Sequence, residues 1–290
     1  MKFKLNEKSF KSINKPWVES DFAEGILKNL KINKKLKKQT TFFIKNGYCI
    51  IRNVLKKKEA DECISDFKKI LDLKNFKKNP DYFHYNNNPR IVEGWKQSKK
   101  IKNIALNKKV FNLLKFFYKK KPIAVSTINF LKGTEQPLHS DYIHFASSPE
   151  LYLAGAWFAF EKVDQNNGAL VVVPKSHKLP TIDFSDLNLP IPKSTIDLKK
   201  NYTIYERYLK KIIKKEKLKK KIILLNKGDV IIWAANLLHG GTKIKNKHKS
   251  RFSEVVHYHF EDLKKIYNPC FSKRNDGIYA LRDIKKIQIK

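Results

Sequence analysis

The chain is short of cysteine, of glycine and proline, and of arginine, and each shortage excludes something. Its three cysteines, Cys49, Cys63 and Cys270, are an odd, scattered set with no CxxC pair. That argues against a disulfide framework and against a cysteine-type zinc site. Glycine and proline, at 10 and 11 of 290 residues, build no linker. No repeat or composition break is visible either, so a single domain over 1–290 is expected. No apolar run approaches the roughly 20 residues of a membrane helix. The opening MKFKLNEKSF lacks the apolar stretch of a secretory signal. The expected compartment is therefore the cytosol.

Arginine supplies only six of the 62 basic residues: Arg52, Arg90, Arg207, Arg251, Arg274 and Arg282. A formal charge of +35 suggests nucleic acid at first sight. Nucleic-acid readers, however, favour the guanidinium for bidentate contacts to bases and phosphates. A lysine excess with so little arginine points instead to composition bias and argues against a nucleic-acid partner. The surplus charge remains able to draw in an anionic substrate. What is abundant is core-forming material: 41% hydrophobic and 12% aromatic residues fit a folded protein.

Local patterning divides the chain. Residues from about Pro16 to Leu36 read as a polar helical lead-in, and Gly47 to Asn53 (GYCIIRN) as a short strand. Lys57 to Leu71 repeats apolar residues at helical spacing (Ala60, Cys63, Ile64, Phe67, Ile70, Leu71), as does Lys108 to Tyr118. Between them DYFHYNNNPR reads as a polar loop. From residue 121 β-branched and aromatic runs take over: 123–131, 151–163, 169–174, 221–226, 229–236 and 251–261, bounded by turn residues such as Lys227-Gly228. Helices first and strands later predict an α+β chain with a mainly β core, closed or sandwiched, over about 121–265 behind a mostly helical flank. A strongly basic helix near 197–221 interrupts the strands. Its lysines fit a solvated face better than a lid over a pocket.

His139-Ser140-Asp141 would put an imidazole and a carboxylate on one face of a strand. His239, 98 residues beyond Asp141 where another strand meets a Gly-Gly turn, could complete a 2-His-1-carboxylate facial triad. Eight histidines and 14 aspartates give about 0.4 His-x-Asp pairs by chance, so the context carries the argument. Arg251 follows His239 by 12 residues at the start of the next strand. It is a natural bidentate partner for the far carboxylate of a 2-oxo acid. His257, His259 and Glu261 alternate on one strand and spread over about 13 Å, too far for one ion. They read as barrel-lining groups, with His144 near the site and His84, His177 and His248 in polar loops.

With these segments in view the chain resembles the phytanoyl-CoA dioxygenase family. The carrying stretches are GYCIIRNVLKKKEADECI, KPIAVSTINFLKGTEQPLHSDYIHF, NNGALVVVPKSHKLP and GDVIIWAANLLHGGTKI followed by Arg251. The resemblance implies a double-stranded β-helix (jelly-roll) barrel with N-terminal flanking helices. It implies Fe(2+) held by His139, Asp141 and His239, with 2-oxoglutarate and O2 as co-substrates. The activity it implies is a dioxygenase that hydroxylates a small organic molecule with release of succinate and CO2, and the surplus positive charge of the chain suits an anionic one. Matched position by position, Arg251 would pair with the 2-oxoglutarate 5-carboxylate and Trp157 would pack on the co-substrate. Asn129 would help hold it, and Thr242 would assist the arginine in place of the residue at Gly241. Asp141 stands where iron halogenases on this fold carry a small residue, which disfavours halogenation. Two readings compete: a cupin-like zinc protein using the same ligands, which would not need Arg251 or Trp157, and a basic scaffold without turnover.

Overall fold

The computed structural model describes residues 14–72, 82–85, 88–283 and 286–288, with the backbone only for 82–85 and 88. The opening MKFKLNEKSF, and Asp81, Asn86 and Asn87 of the expected loop, lie outside the described residues.

Helices α1 (Ala23–Asn29), α2 (Lys34–Asn46), α3 (Lys57–Asp72), α4 (Lys99–Ala105) and α5 (Lys108–Tyr118) precede most of the strands. Their ends follow capping chemistry. The Asn33 side chain accepts from Leu36 N at 2.9 Å, and Asn107 accepts from Lys109 N at 3.0 Å. Gly47 closes α2 at φ 78°, and a Cβ there would strike the His177 ring, so glycine is required twice over. The lead-in is helical as expected but not merely polar. Trp17, Val18, Ala23, Ile26 and Leu27 are buried, because one side of this segment packs on α2 and α5.

The strands are β1 (Tyr48–Ile51), β2 (Tyr82–Tyr85), β3 (Asn88–Val92), β4 (Pro122–Phe130), β5 (Ala146–Ser148), β6 (Ala154–Ala159), β7 (Leu170–Val172), β8 (Lys221–Ile223), β9 (Val230–Ala234), β10 (His239–Gly241), β11 (Ser253–Phe260) and β12 (Lys265–Tyr267). A seven-stranded antiparallel sheet runs β1-β9-β6-β11-β4-β3-β2. A three-stranded sheet runs β10-β7-β8, and β12 pairs with β5. The two larger sheets face each other as a jelly roll, the fold expected from the sequence. Besides the expected short strand β1, the mostly helical flank contributes the β2–β3 hairpin to the large sheet, so residues 82–85 and 88–90 are paired where a loop was expected. Asn and Pro suppressed a strand signal there that edge pairing to β4 supplies.

Alternation decides which face does what. On β6, Ala154, Ala156 and Phe158 pack outward against the helices with Val230, Ile232 and Ala234 of β9. Trp157, Ala159, Ile231 and Trp233 point the other way, into the barrel with Tyr48, Leu170 and Val172. Phe43, Phe67, Leu114 and Phe117 fill the helix–sheet layer. Burying each side chain of this kind contributes roughly 1.5–3 kcal/mol.

The basic insert is helix α6 (Thr195–Lys215), shorter than expected because Glu216 ends it. Tyr205 and Leu209 are buried and Ile213 partly so, on Ile143, Val173, Phe184 and Leu238. Its lysines face solvent. The helix backs the loop that carries Asp141 and does not line the cavity described below. Cys49, Cys63 and Cys270 are all free and buried. Among the described residues no helix is long and apolar enough to cross a membrane.

Candidate metal centre

Residues 139 and 239 meet through the backbone. His139 N donates to His239 O at 3.0 Å and His239 N donates to His139 O at 2.9 Å. Residues in such a hydrogen-bonded antiparallel pair send both side chains to the same face. The expected strand through His-Ser-Asp is reduced to this single bridge, and Asp141 opens a helical turn at Asp141–Ile143. One extended residue between them, Ser140 (φ −109°, ψ 149°), preserves the alternation. Ser140 Oγ therefore turns away to Tyr205 of α6 at 3.3 Å, while His139 and Asp141 share the barrel side.

One ligand atom from each of His139, Asp141 and His239 lies within 4.8 Å of the others. Asp141 Oδ1 is 3.6 Å from His239 Nε2 and 4.0 Å from His139 Nε2. Both imidazoles are oriented by their far nitrogens. His139 Nδ1 bonds Pro137 O at 2.9 Å and His239 Nδ1 bonds Leu237 O at 3.0 Å. A carbonyl accepts only from N–H, so each Nε2 carries the lone pair and faces inward. Trp233 Nε1 donates to Asp141 Oδ2 at 2.7 Å, which leaves Oδ1 toward the histidines. Trp233 can lie across the sheet there because residue 155 is glycine; a Cβ at Gly155 would run into the indole. Burial pushes the His139 imidazole down to about 3, with His239 adding to the effect. Burial would raise the Asp141 carboxyl, but His239, His257 and His139 hold it well below the usual carboxylate range. Two imidazoles and a carboxylate gathered in this way are the donor set a divalent cation takes.

The three residues line one end of a cavity of about 270 Å³. Toward its other end Arg251, 4% exposed, reaches in from the start of β11. Its Nη1 donates to Gly168 O at 2.6 Å, and its guanidinium sits 4.8 Å from the Trp157 ring centroid. Arg251 Nε has no hydrogen-bond partner. Burial, reinforced by Arg90, pushes the guanidinium down to about 9. Trp157 lines the same cavity.

Two expected residues lie elsewhere. Asn129 sits on the helix-facing side of β4, donating to the buried Glu254 at 3.3 Å, while its neighbours Ile128 and Phe130 line the cavity. Alternation along the strand put the polar residue on the wrong face. Thr242 does not line the cavity; Gly241 and Thr134 do. The last-strand group divides as well. His257 lines the cavity, with Nε2 at 3.4 Å from Asp141 Oδ2, and Phe145 stacks on its ring at 4.5 Å. His259 is buried against Tyr152 O, and Glu261 faces outward to Lys121 at 2.9 Å. His144 lines the cavity and meets Tyr202 Oη at 2.7 Å. His177 is a buried structural group on Ile44 O at 3.1 Å, and His248 is exposed.

Sequence reasoning passed over Arg90, Gln136, Trp233 and Arg282, all of which line the cavity. Gln136 bridges two of the groups, its Nε2 at 3.2 Å from His139 Nε2 and its Oε1 at 3.4 Å from Arg90. Only the aromatic, inward register of Trp233 carried a signal in the sequence.

The family model described as "Phytanoyl-CoA dioxygenase (PhyH)" matches residues 43–253. Among curated proteins, the peroxisomal phytanoyl-CoA dioxygenase of Bos taurus is 27% identical over 136 residues, 47% of this chain and 36% of that protein. The probable phytanoyl-CoA dioxygenase of Caenorhabditis elegans is 28% identical over 169 residues, 48% of this chain and 52% of that one. The matches thus reach across about a third to a half of these relatives. Among solved structures, EctD from S. alaskensis with 2-oxoglutarate and 5-hydroxyectoine superposes with a TM-score of 0.65 at 16% identity, covering 88% of this chain and 85% of that one. The epimerase SnoN in complex with Fe3+, alpha ketoglutarate and nogalamycin RO gives 0.63 at 14% identity, covering 88% and 99%. At such identities the likeness is one of fold.

Proposed function

The chain belongs to the phytanoyl-CoA dioxygenase family, and from that premise we propose that it is a non-haem iron(II)- and 2-oxoglutarate-dependent dioxygenase that hydroxylates a small organic substrate. The observation that carries this reading is the pairing, in one cavity, of a His139–Asp141–His239 cluster with the buried guanidinium of Arg251. A zinc hydrolase of cupin type would use the first and have no need of the second.

The residues fit the implied groups. His139 Nε2, His239 Nε2 and Asp141 Oδ1 would hold iron, because the partners of their other polar atoms already turn them inward. Arg251 would receive the far carboxylate of 2-oxoglutarate, with Nε still lacking a partner and Trp157 as the floor under the chain. Iron with 2-oxoglutarate and dioxygen supplies oxidative decarboxylation to succinate and CO2, coupled to removal of a substrate hydrogen. The protein's part is to orient and to exclude water. Ile128, Phe130, Leu170 and Val255 give the cavity apolar walls, and Asp141 is its single carboxylate among the described residues. The reaction asks no acid–base pair of the protein.

The test is succinate release by iron-loaded protein over pools of candidate substrates, with and without 2-oxoglutarate. Release that requires neither iron nor 2-oxoglutarate would refute the reading. Oxygen-18 from O2 appearing in the product distinguishes hydroxylation from epimerisation, the reaction class of the structurally similar SnoN.

A further inference from the structure

Six arginines stand against 56 lysines in this chain, yet Arg90, Arg251 and Arg282 all line the cavity of the metal cluster and, among the described residues, no lysine does. Arg52 and Arg274, outside the cavity, are ion-paired to Asp229 and to Asp183 and Asp186. Arg251 has its role in the reading above, and Arg90 is engaged with Gln136 and lies over the Phe130 ring at 5.1 Å. Arg282 is different. It comes from the carboxyl-terminal segment, beyond the expected barrel. Its N–H donates to Ile266 O of β12 at 2.9 Å, and β12 pairs with β5 next to Phe145. That backbone anchor lays the guanidinium over the Phe145 ring at 4.4 Å from its centroid. Its Nε is buried with no hydrogen-bond partner, and no carboxylate among the described residues pairs with it.

Phe145 also stacks on His257, which touches Asp141. Arg282 thus stands one ring beyond the group beside the metal cluster, on the metal side of the cavity. We infer that Arg282 is a specificity-determining residue that receives the carboxylate of a small monoanionic substrate and points its carbon chain across Phe145 toward the metal cluster. This rests on the oxygenase reading of the cavity. A planar guanidinium matches a carboxylate in bidentate fashion. Nearby His259 is pushed down to about 4, chiefly by burial, and adds no charge at neutral pH. A single cation fits a monoanion better than a phosphate dianion. About 270 Å³, just under the usual roughly 300–1,000 Å³ of ligand pockets, leaves room beside 2-oxoglutarate for a small reacting end.

The experiment is calorimetric binding of hexanoate, hexanamide and hexyl phosphate to the full chain saturated with 2-oxoglutarate. It is run once with iron(II) in the absence of dioxygen and once metal-free. The wild type should prefer hexanoate over hexanamide roughly tenfold, as one charge-assisted contact to a half-buried guanidinium gives. Arg282→Gln should bring that ratio close to one while leaving 2-oxoglutarate affinity unchanged, and Arg282→Lys should restore part of it. A purely packing role would weaken acid and amide alike and keep their ratio. An unchanged ratio in Arg282→Gln, no preference in the wild type, or stronger binding of hexyl phosphate would each overturn the assignment. Should 2-oxoglutarate itself not bind, the oxygenase reading fails, and the hexanoate-to-hexanamide ratio in metal-free protein still decides for or against Arg282.

Discussion

Replacing Arg251 by leucine removes a guanidinium that is 4% exposed and held by Gly168 O at 2.6 Å and Lys132 O at 3.4 Å. Loss of a buried charge-assisted pair costs on the order of 2–5 kcal/mol, or roughly 30-fold to several thousand-fold in affinity. Arg90 stands close enough to depress Arg251 electrostatically, so a second cation remains to attract the 2-oxoglutarate dianion. The expected loss therefore falls toward the lower end, about 30- to 300-fold. The assay is the 2-oxoglutarate dependence of succinate release, with iron affinity measured separately by equilibrium dialysis. Iron binding should stay near wild type, because Arg251 touches none of His139, Asp141 or His239. The two carbonyls left without a donor cost about 1–3 kcal/mol each in stability, so a lower melting midpoint is expected as well. Arg251→Lys keeps the charge and loses the fork, and should fall between. A 2-oxoglutarate constant within about threefold of wild type in a folded Arg251→Leu protein would show that another group holds the carboxylate.

Other outcomes follow from the same geometry. His139→Ala, Asp141→Ala and His239→Ala should each abolish stoichiometric iron binding with the fold retained by circular dichroism; normal iron content in all three would remove the proposed centre. Trp233→Phe deletes the 2.7 Å donor to Asp141 Oδ2 and frees the carboxylate to rotate. It should weaken iron about 10- to 100-fold, and unchanged affinity would mean that the indole only packs. Acid should destabilise the protein between pH 6.5 and 4. Burial pushes His177 from 6.5 down to about 4, so across that window the unfolded chain holds a proton that the folded one lacks. Stability then rises with pH there and is lost as pH falls, by up to on the order of 3 kcal/mol from this group. Urea titrations at pH 7 and pH 4.5 should show a smaller acid loss in His177→Gln than in wild type.

The helix spacing of 57–71 and 108–118, the β texture beyond 121 and the order His139, Asp141, His239, Arg251 could be read directly from the residues. Periodicity is a local property, and a composition so poor in arginine makes Arg251 conspicuous. Trp157 came from the family resemblance, and the structure places it in the cavity because the alternation along β6 faces it inward. It could not say that Asn129 turns to Glu254 and away from the cavity, because a strand of mixed burial on both faces gives no polarity signal to choose between them. Nor could it bring residue 282 to Phe145. The tail is short, polar and without period, and only the pairing of β12 with β5 and one backbone bond to Ile266 carry it there. The joining of residues 139 and 239 as opposite members of a hydrogen-bonded pair was likewise left to the fold. The sequence by itself determined which residue types could do the chemistry. Which of them share a face, and how far apart they stand, depended on strand register, a long-range property that one-dimensional spacing does not contain.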